Sequence, residues 1–346
     1  PGHTPEHISF LLTDHPASEQ PMGLFTGDFL FVGDVGRPDL LERAAGYKDT
    51  MREGAKRLFY SLQKLKELPD HLQIWPAHGA GSACGKALGA VPSSVLGFER
   101  YSNWALAIDS EEEFVEAVLD GQPEPPKYFA EMKRMNKVGP SLLADSEPKF
   151  SDLERLKAVV DQEELLVDLR GVEAFALGHL AGSLFLPSGK PLVTWAGWLL
   201  PYDKSFSLLL PSADMAVETL RTLQSIGLDN IANVFLLESM EQSGLPLRQS
   251  QRVKAGDVDF SKEFVLDVRS SSEFSEGHLP GAHHIHLGYL PDRLEEIPQQ
   301  PVIYCRSGMR SLIASSILEK TRRCPRDVLG GYQAIISTQG QGNGVA

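Results

Sequence analysis

An internal repeat in the second half of the chain limits the folds that this sequence can adopt. Two segments share a short apolar strand, an Asp-x-Arg triplet, a phenylalanine, a Gly-His-Leu turn and a further glycine, always 99 residues apart. The paired positions are Asp168 and Asp267, Arg170 and Arg269, Phe175 and Phe274, His179 and His278, and Gly182 and Gly281. A constant offset over so many pairs indicates two copies of one folding unit in tandem.

Each copy alternates apolar strands with helices. In the first copy residues 165–167 and 207–210 are strand-like, and residues 264–266 and 301–304 are their counterparts in the second. Strands that alternate with helices predict a parallel sheet with helices on both faces, which is an α/β/α fold. The active site of such a sheet lies at the carboxyl ends of its strands. We therefore expect the loops at those ends to carry the chemistry.

A cysteine follows the second strand of the second copy, shortly before a helix predicted over residues 311–319. The candidate catalytic loop consists of Cys305, Arg306, Ser307, Gly308, Met309 and Arg310. The free N–H groups and the dipole of a helix N-terminus stabilise an anion, and the two arginines add positive charge. Gly308 lets the backbone curl so that its amides point inwards. This pattern predicts a thiolate nucleophile in a ring that suits one sulfur atom better than a phosphate.

The second copy resembles the rhodanese family along its whole length. The shared motifs are residues 266–269, 273–274, 277–282, 305–311 and 330–332. The resemblance implies that residues 248–346 form an active rhodanese domain in which Cys305 carries a persulfide.

The first copy, residues 150–247, departs from the family at the decisive position. Aligning residues 208–210 with residues 302–304 places Pro211 opposite Cys305, and neither cysteine nor arginine follows in the loop. Proline offers no nucleophile. We therefore predict that this copy is an inactive rhodanese-like domain with a structural role.

The N-terminal part, residues 1–105, carries four separate motifs. They are residues 1–5, 25–28, 36–40 and 75–79. Together they resemble the C-terminal half of the metallo-β-lactamase αββα fold, and most of all the persulfide dioxygenases that are fused to tandem rhodanese domains. Residues 106–149, which join this part to the repeats, are interpreted as a helical linker region.

The same resemblance implies metal ligands. They are His3 and Asp28, and Asp28 is preferred to Asp34 because it directly follows the Thr-Gly pair at 26–27. His78 would either bind the metal in a two-metal site or lie beside a single iron without binding it. An imidazole and a carboxylate at strand ends suit Fe(II), with zinc as the alternative.

One family motif, His-x-His-x-Asp-His, does not occur in this sequence. His284 and His286 form a His-x-His pair, but no Asp-His follows them, and we interpret them as part of an ordinary strand. We therefore expect the chain, which begins at Pro1, to be N-terminally truncated and its metal site to be incomplete.

The net charge limits the kinds of binding partner that the sequence predicts, and the cysteine content limits the cellular compartment. A net charge of −13 argues against nucleic acid and against an anionic membrane surface. Three widely spaced cysteines do not form a disulfide framework and predict a reducing cytoplasm. For Cys84 two interpretations stay open, namely a small buried apolar side chain or a sulfur relay near the metal.

The motifs together predict an enzyme of sulfane-sulfur metabolism. Its sulfurtransferase reaction would use the Cys305 persulfide, coupled in the intact protein to metal-dependent oxidation of a thiol persulfide to sulfite. The expected substrates are a low-molecular-weight thiol persulfide, thiosulfate or sulfite. A zinc-dependent thiolester hydrolase of the glyoxalase II type, with a rhodanese module that carries or senses sulfur, is the alternative. Whether the chain forms a homo-oligomer is left open.

Overall fold

A computed structural model of the chain describes residues 1–43, 48–80, 82, 84–86, 88–140, 142 and 148–342. For residues 339–342 it describes the backbone alone. The chain divides into two compact units, residues 1–130 and residues 131–346. No helix in the described part is both long and apolar enough to cross a membrane.

The first unit is built on a four-stranded mixed sheet of order β1-β2-β3-β4. Its strands are β1 (Phe10–Leu12), β2 (Gly23–Gly27), β3 (Gln73–Pro76) and β4 (Ser94–Val95). Its helices are α1 (Leu40–Arg43), α2 (Met51–Leu65), α3 (Leu96–Ser102) and α4 (Glu111–Leu119), and α5 (Tyr128–Val138) crosses the boundary between the units. Strands β2 and β3 are parallel neighbours, so their carboxyl ends lie side by side. This pair of strand ends positions the candidate metal ligands.

Apolar residues at helical spacing predict a helix over residues 50–68, and the structure has α2 there, which buries one apolar face in the core of the first unit. The apolar run over residues 27–32 also predicts a strand, but β2 covers Gly23–Gly27 and ends where that run begins. The hydroxyl of Thr26 donates to the carbonyl of Leu30 at 2.6 Å and closes a turn after the strand. Apolar residues in this turn are buried without belonging to the sheet, which explains why the apolar run resembled a strand.

The second unit contains both repeats. Elements of the first copy are α6 (Leu153–Asp161), β5 (Leu166–Asp168), α7 (Val172–Leu177), β6 (His179–Leu180), β7 (Leu184–Phe185), α8 (Lys190–Leu199), β8 (Phe206–Leu210), α9 (Ala216–Gln224), β9 (Ile231–Leu236), α10 (Leu237–Gln242) and β10 (Leu247–Arg248). Elements of the second are β11 (Gln251–Val253), β12 (Val265–Asp267), α11 (Ser271–Glu276), β13 (His283–His284), β14 (Val302–Tyr304), α12 (Met309–Lys320), β15 (Arg326–Val328) and α13 (Gly331–Gly342).

Both copies have the parallel sheet that the sequence predicts. The sheet of the first copy has the order β7-β5-β8-β9, and that of the second has the order β11-β15-β14-β12-β13. Every pairing within these two sheets is parallel. The α/β architecture with two rhodanese-like repeats is therefore confirmed.

The conserved spacing of the repeats reflects a shared scaffold. Arg170 pairs with Asp168 and donates to the carbonyl of Gly178 at 2.8 Å. Its counterpart Arg269 pairs with Asp267 in the same way and donates to the carbonyl of Gly277. Each pair is buried and ties a strand end to the following Gly-His-Leu turn, which is a structural task.

The two copies pack against each other within the second unit and share one hydrophobic core. The backbone N–H of Phe185 in the first copy donates to the hydroxyl of Ser316 on α12 at 3.1 Å. His179 of the first copy lies 2.9 Å from the carboxylate of Glu319 on the same helix. Two polar contacts from the first copy thus hold helix α12, which follows the cysteine loop.

Candidate functional site

The cysteine loop follows β14 and leads into α12. The side chain of Cys305 is only 1% exposed, so its sulfur is almost completely shielded from solvent. Its Sγ accepts a hydrogen bond from the backbone N–H of Gly308 at 3.1 Å and from the hydroxyl of Ser311 at 3.5 Å. Gly308 has a φ of +106°, a conformation that a residue with a Cβ rarely adopts. This backbone turn is what aims the amide at the sulfur.

The loop is fixed from the outside by the start of α13. The N–H of Tyr332 donates to the carbonyl of Cys305 at 2.7 Å, and the N–H of Gln333 donates to that of Arg306 at 3.2 Å. A Cβ at Gly331 would lie 2.3 Å from the carbonyl oxygen of Cys305, so only glycine allows this approach. The Gly-Gly-Tyr motif thus holds the backbone of Cys305 in place.

The two loop arginines have different roles in the geometry. Arg310 is largely buried and makes a two-pronged ion pair with Glu273, with N···O distances of 2.5 and 2.8 Å. Burial disfavours the ionised form of Glu273, but this ion pair and the bonds from Ser270 outweigh it and lower the pKa of Glu273 to about 2. Arg306 is exposed and has no ion-pair partner among the described residues. Arg306 is therefore the loop cation that is open to an anionic ligand.

The remaining loop residues frame the entrance. Ser307 is exposed and Met309 is half-buried at the first position of α12. Neither side chain contacts the sulfur of Cys305 through a hydrogen bond in the described part of the chain.

The register of the two sheets corrects the expected alignment of the copies by one residue. Asp267 lies opposite Tyr304, whereas the matching Asp168 lies opposite Leu209. Leu210, which is fully buried, therefore takes the place of Cys305, and Pro211 takes the place of Arg306. Three consecutive leucines fit an apolar strand in more than one register, and the sequence alone chose the wrong one. Leucine, like proline, offers no nucleophile.

The candidate metal centre lies where β2 and β3 end. Asp28 follows β2 and His78 follows β3, and Nε2 of His78 is 2.9 Å from Oδ1 of Asp28. Together with Cys84 they form a half-buried group whose potential ligand atoms all lie within 4.8 Å of one another. Cys84 thus belongs to this centre by position, and it is not fully buried.

Charges in this group reinforce one another. The pKa of His78 is raised to about 10, mainly by contact with Asp28 and to a smaller extent by contact with Cys84, and burial opposes this effect. Burial favours the neutral form of Asp28, but His78 and the neighbouring histidines outweigh it and keep its pKa below the usual value. A cationic imidazole thus lies beside an anionic carboxylate. A bound metal cation would replace the positive charge of this imidazole next to the same carboxylate.

His3 lies outside the three-residue group. Its Nδ1 donates to the carbonyl of Arg37 at 2.9 Å, which leaves Nε2 as the acceptor nitrogen of the neutral ring. Burial lowers the pKa of His3, with Asp28 opposing that effect. His7 is already occupied, because its Nε2 accepts the backbone N–H of Asp28 at 3.0 Å.

The donor set fits a metal ion. Oδ1 of Asp28 is buried and accepts no hydrogen bond of normal geometry within the described residues. A ring whose Nδ1 is held by a carbonyl, as in His3, is the usual preparation of a histidine ligand. Asp34 is unsuited, because its carboxylate accepts bonds from the backbone N–H of Lys86 and from the indole of Trp104.

Two polar residues beside Cys305 escaped the sequence analysis. Ser311 lies on the buried face of α12, and Asp327 is a fully buried residue of β15. The sequence offered one signal for Asp327, namely a carboxylate inside a short strand of the core. A single sequence does not say which helix that strand faces.

Comparison with known proteins finds relatives that resemble both parts of the chain. Residues 248–338 match the family described as rhodanese-like domain. A sulfurtransferase of Allochromatium vinosum is 37% identical over 85 residues, which are 24% of this chain and 71% of that protein. A solved structure of a metallo-beta-lactamase from Staphylococcus aureus is 42% identical with a TM-score of 0.58, and the match covers 68% of this chain and 64% of that one. This coverage exceeds either compact unit, so the match spans both.

Two further relatives are named as a hydrolase and as a dioxygenase. Hydroxyacylglutathione hydrolase of Nostoc punctiforme is 39% identical over 79 residues, and human mitochondrial persulfide dioxygenase ETHE1 is 35% identical over 79 residues. In both cases the match covers 22% of this chain, and the chain spans about a quarter of the relative's length.

Proposed function

Because this chain belongs to the rhodanese family and joins its rhodanese-like repeats to a metallo-β-lactamase-like unit, we propose that it is a sulfurtransferase with Cys305 as its persulfide carrier. The proposal couples this reaction to metal-dependent oxidation of a thiol persulfide to sulfite. The substrates are a low-molecular-weight thiol persulfide, thiosulfate or sulfite.

The hydrogen bonds to the sulfur of Cys305 carry this proposal. A backbone N–H and a hydroxyl both donate to Sγ at the N-terminus of α12, where the helix dipole also favours negative charge. A thiol used only for packing would need neither donor. The same donors can stabilise the terminal sulfur of a persulfide, which is also an anion.

Sulfur uptake from thiosulfate is a displacement at sulfur. The thiolate of Cys305 attacks the sulfane sulfur, the S–S bond of thiosulfate breaks, and sulfite leaves with the bonding electron pair. In the second half-reaction an acceptor thiolate or sulfite attacks the terminal sulfur of the persulfide and releases the Cys305 thiolate. Exposed Arg306 attracts the anionic donor, whereas Arg310 remains paired with Glu273 and shapes the loop.

The metal centre belongs to the second part of the proposal. Asp28 and His78 would hold the ion, with His3 as the further nitrogen donor and Cys84 at the rim. Bound Fe(II) would supply the O₂ chemistry for oxidising a persulfide. The chain's own contribution is to hold the carboxylate between the histidines and to keep Nε2 of His3 unprotonated through the carbonyl of Arg37.

The test is peptide-resolved mass spectrometry after exposure to thiosulfate. We expect a mass gain of one sulfur atom on the peptide that contains Cys305, and sulfite release in equal amount. Cys324→Ser is the matched control, because Cys324 is exposed and lies outside both sites. Sulfur on the Cys84 or Cys324 peptide, with turnover kept in Cys305→Ser, would contradict the proposal.

A thiolester hydrolase is the second candidate, because hydroxyacylglutathione hydrolase is among the relatives and His78 lies within ligand distance of Asp28. Metal analysis of the purified protein separates the two candidates. Zinc together with hydrolysis of a glutathione thiolester favours the hydrolase, and iron together with O₂ uptake on a persulfide favours the dioxygenase.

A further inference from the structure

A line of polar side chains runs from Cys305 into the core of the second copy. The hydroxyl of Ser311 lies 3.5 Å from Sγ of Cys305 and also faces the carboxylate of Asp327. Beyond it, Nε of Arg252 on β11 lies 3.4 Å from Oδ2 of Asp327. The guanidinium of Arg252 finally reaches Glu173 of the first copy at 2.8 Å. The line connects the nucleophile with the neighbouring repeat.

Asp327 is an unusual residue for its position. Its side chain is fully buried, and neither carboxylate oxygen accepts a hydrogen bond of normal geometry among the described residues. Ser315, one helical turn after Ser311, also has a buried hydroxyl without a bond partner in the described part. An ionised carboxylate in such surroundings is costly, and a carboxylate that can take up a proton relieves that cost.

The first copy has apolar residues at every position of this line. The sheet registers place Leu210 at the position of Cys305 and Val234 at that of Asp327. Ala216 follows Leu210 by as many residues as Ser311 follows Cys305, and Phe150 bridges to Val234 as Arg252 pairs with Asp327. The fold therefore does not require these polar groups. They are present only in the copy that has the thiol.

We propose that Asp327, acting through the hydroxyl of Ser311, is the positioning residue that accepts and holds the proton of the Cys305 thiol. The inference rests on the proposed role of Cys305 as nucleophile. The S–H proton passes to Oγ of Ser311, the Ser311 proton passes to Asp327, and the products are a thiolate and a neutral carboxylic acid. The acid donates to Oγ and the hydroxyl donates to Sγ, so one proton is shared and no charge is created.

The surroundings of Asp327 suit this role. Burial raises the pKa of Asp327 to about 6, although Ser311 and Arg252 oppose that effect. Glu173 of the first copy acts in the same direction as burial. The groups that face the carboxylate are thus Arg252 from β11, Glu173 from α7, and Ser311 from α12, with Cys305 behind the hydroxyl.

The test measures the alkylation rate of Cys305 by the uncharged reagent iodoacetamide between pH 5 and pH 10, read from the Cys305 peptide by mass spectrometry. A thiol coupled to a second group that shares its proton titrates in two steps. We expect two steps for the wild type, the lower one near pH 6, and a single step for Asp327→Asn. Ser311→Ala should also lose the lower step, because the hydroxyl that links thiolate and acid is gone.

Two outcomes would overturn the proposal. The first is a profile of Asp327→Asn that matches the wild type. The second is a lower step that disappears in Asp327→Asn but persists in Ser311→Ala, since Asp327 would then act by its charge alone. If Asp327→Asn does not fold, Ser311→Ala and the following pair of variants decide.

Arg252→Gln and Glu173→Gln sharpen the test because they should move the lower step in opposite directions. Removing the cation should move it to higher pH, and removing the anion should move it to lower pH by less, since Glu173 is largely exposed. Unmoved profiles in both would contradict the proposal. Failure of Cys305 to gain sulfur from thiosulfate at pH 9 would instead contradict the proposed function, whatever the alkylation profiles are.

Discussion

The two repeats have the same parallel-sheet scaffold and differ in a small set of buried positions. Both keep the strand-end Asp–Arg pair and its bond to the Gly-His-Leu turn. The second copy adds a thiol, a serine and an aspartate where the first has leucine, alanine and valine. The comparison teaches that the fold does not depend on the site, because the copy that lacks these polar residues has the same scaffold.

The ion pair next to the loop is likewise present in the second copy and has no counterpart in the first. Glu273 and Arg310 of the second copy correspond to Ala174 and Met215 of the first. A pair that was needed for folding alone would be expected in both copies. Its presence beside the thiol loop indicates that it shapes the loop.

The largest effect should come from changing the proposed nucleophile. Cys305→Ser should reduce sulfur transfer to the background level, because a hydroxyl is not ionised near neutral pH and cannot carry a sulfane sulfur. The converse change, Leu210→Cys in the first copy, should not create activity, because Ala216 and Val234 provide neither a donor nor a proton acceptor. Thiosulfate turnover of both variants is the measurement. Activity in a Cys305→Ser, Leu210→Cys double variant would show that the fold suffices without its polar group.

A second prediction concerns the stability cost of Asp327. Its pKa is raised from 3.8 to about 6 on folding, so the native state binds more protons than the unfolded state between these pH values. The free energy of unfolding therefore falls as pH rises through this window, and the penalty is complete above pH 6. Asp327→Asn should be more stable than the wild type by up to about 3 kcal/mol at pH 8 and equal to it near pH 3. Urea unfolding at both pH values checks this, and a pH-independent difference would contradict it.

The third prediction imitates the first copy at the ion pair. Glu273→Ala leaves the largely buried Arg310 without its partner and should lower the free energy of unfolding by about 2 kcal/mol at pH 7. The pKa of Glu273 is depressed to about 2, so the contribution is present above pH 4.5 and is lost as pH falls towards 2. The double variant Glu273→Ala, Arg310→Met should recover most of the loss. A double variant as unstable as the single one would show that the copies do not correspond at this position.

The sequence predicted what depends on short distances along the chain. The repeat, the parallel sheets and the loop from Cys305 to Arg310 follow from spacing and local apolar patterns. The resemblance to a known family supplied Asp28 and His78, whose proximity follows from the parallel pairing of the strands that precede them. That same pattern could not place Cys84, because its position is set by the path of the loop rather than by a strand end.

The sequence failed where the answer depends on register or on contacts between distant segments. Three leucines in a row allowed the wrong alignment of Pro211 with Cys305. The link between Asp327 and Ser311 depends on which face of β15 packs against α12, and nothing local to either segment specifies it. The neutralisation of Arg310 by Glu273, far away in the sequence, likewise appears only in three dimensions.

The smallest effect should distinguish the two arginines of the loop. Arg306 is exposed without an ion-pair partner in the described part of the chain, so its charge is available to an anion, whereas the charge of Arg310 is shared with Glu273. Arg306→Ala should raise KM for thiosulfate about tenfold, which corresponds to about 1.4 kcal/mol, and should leave kcat nearly unchanged. Arg306→Lys should restore most of the loss, because the exposed site needs a positive charge more than the fork of a guanidinium. An uncharged sulfane donor should not distinguish these variants from the wild type. If Arg306→Ala keeps the KM of the wild type for thiosulfate while retaining its fold, the anion is recognised by the backbone amides of the loop instead.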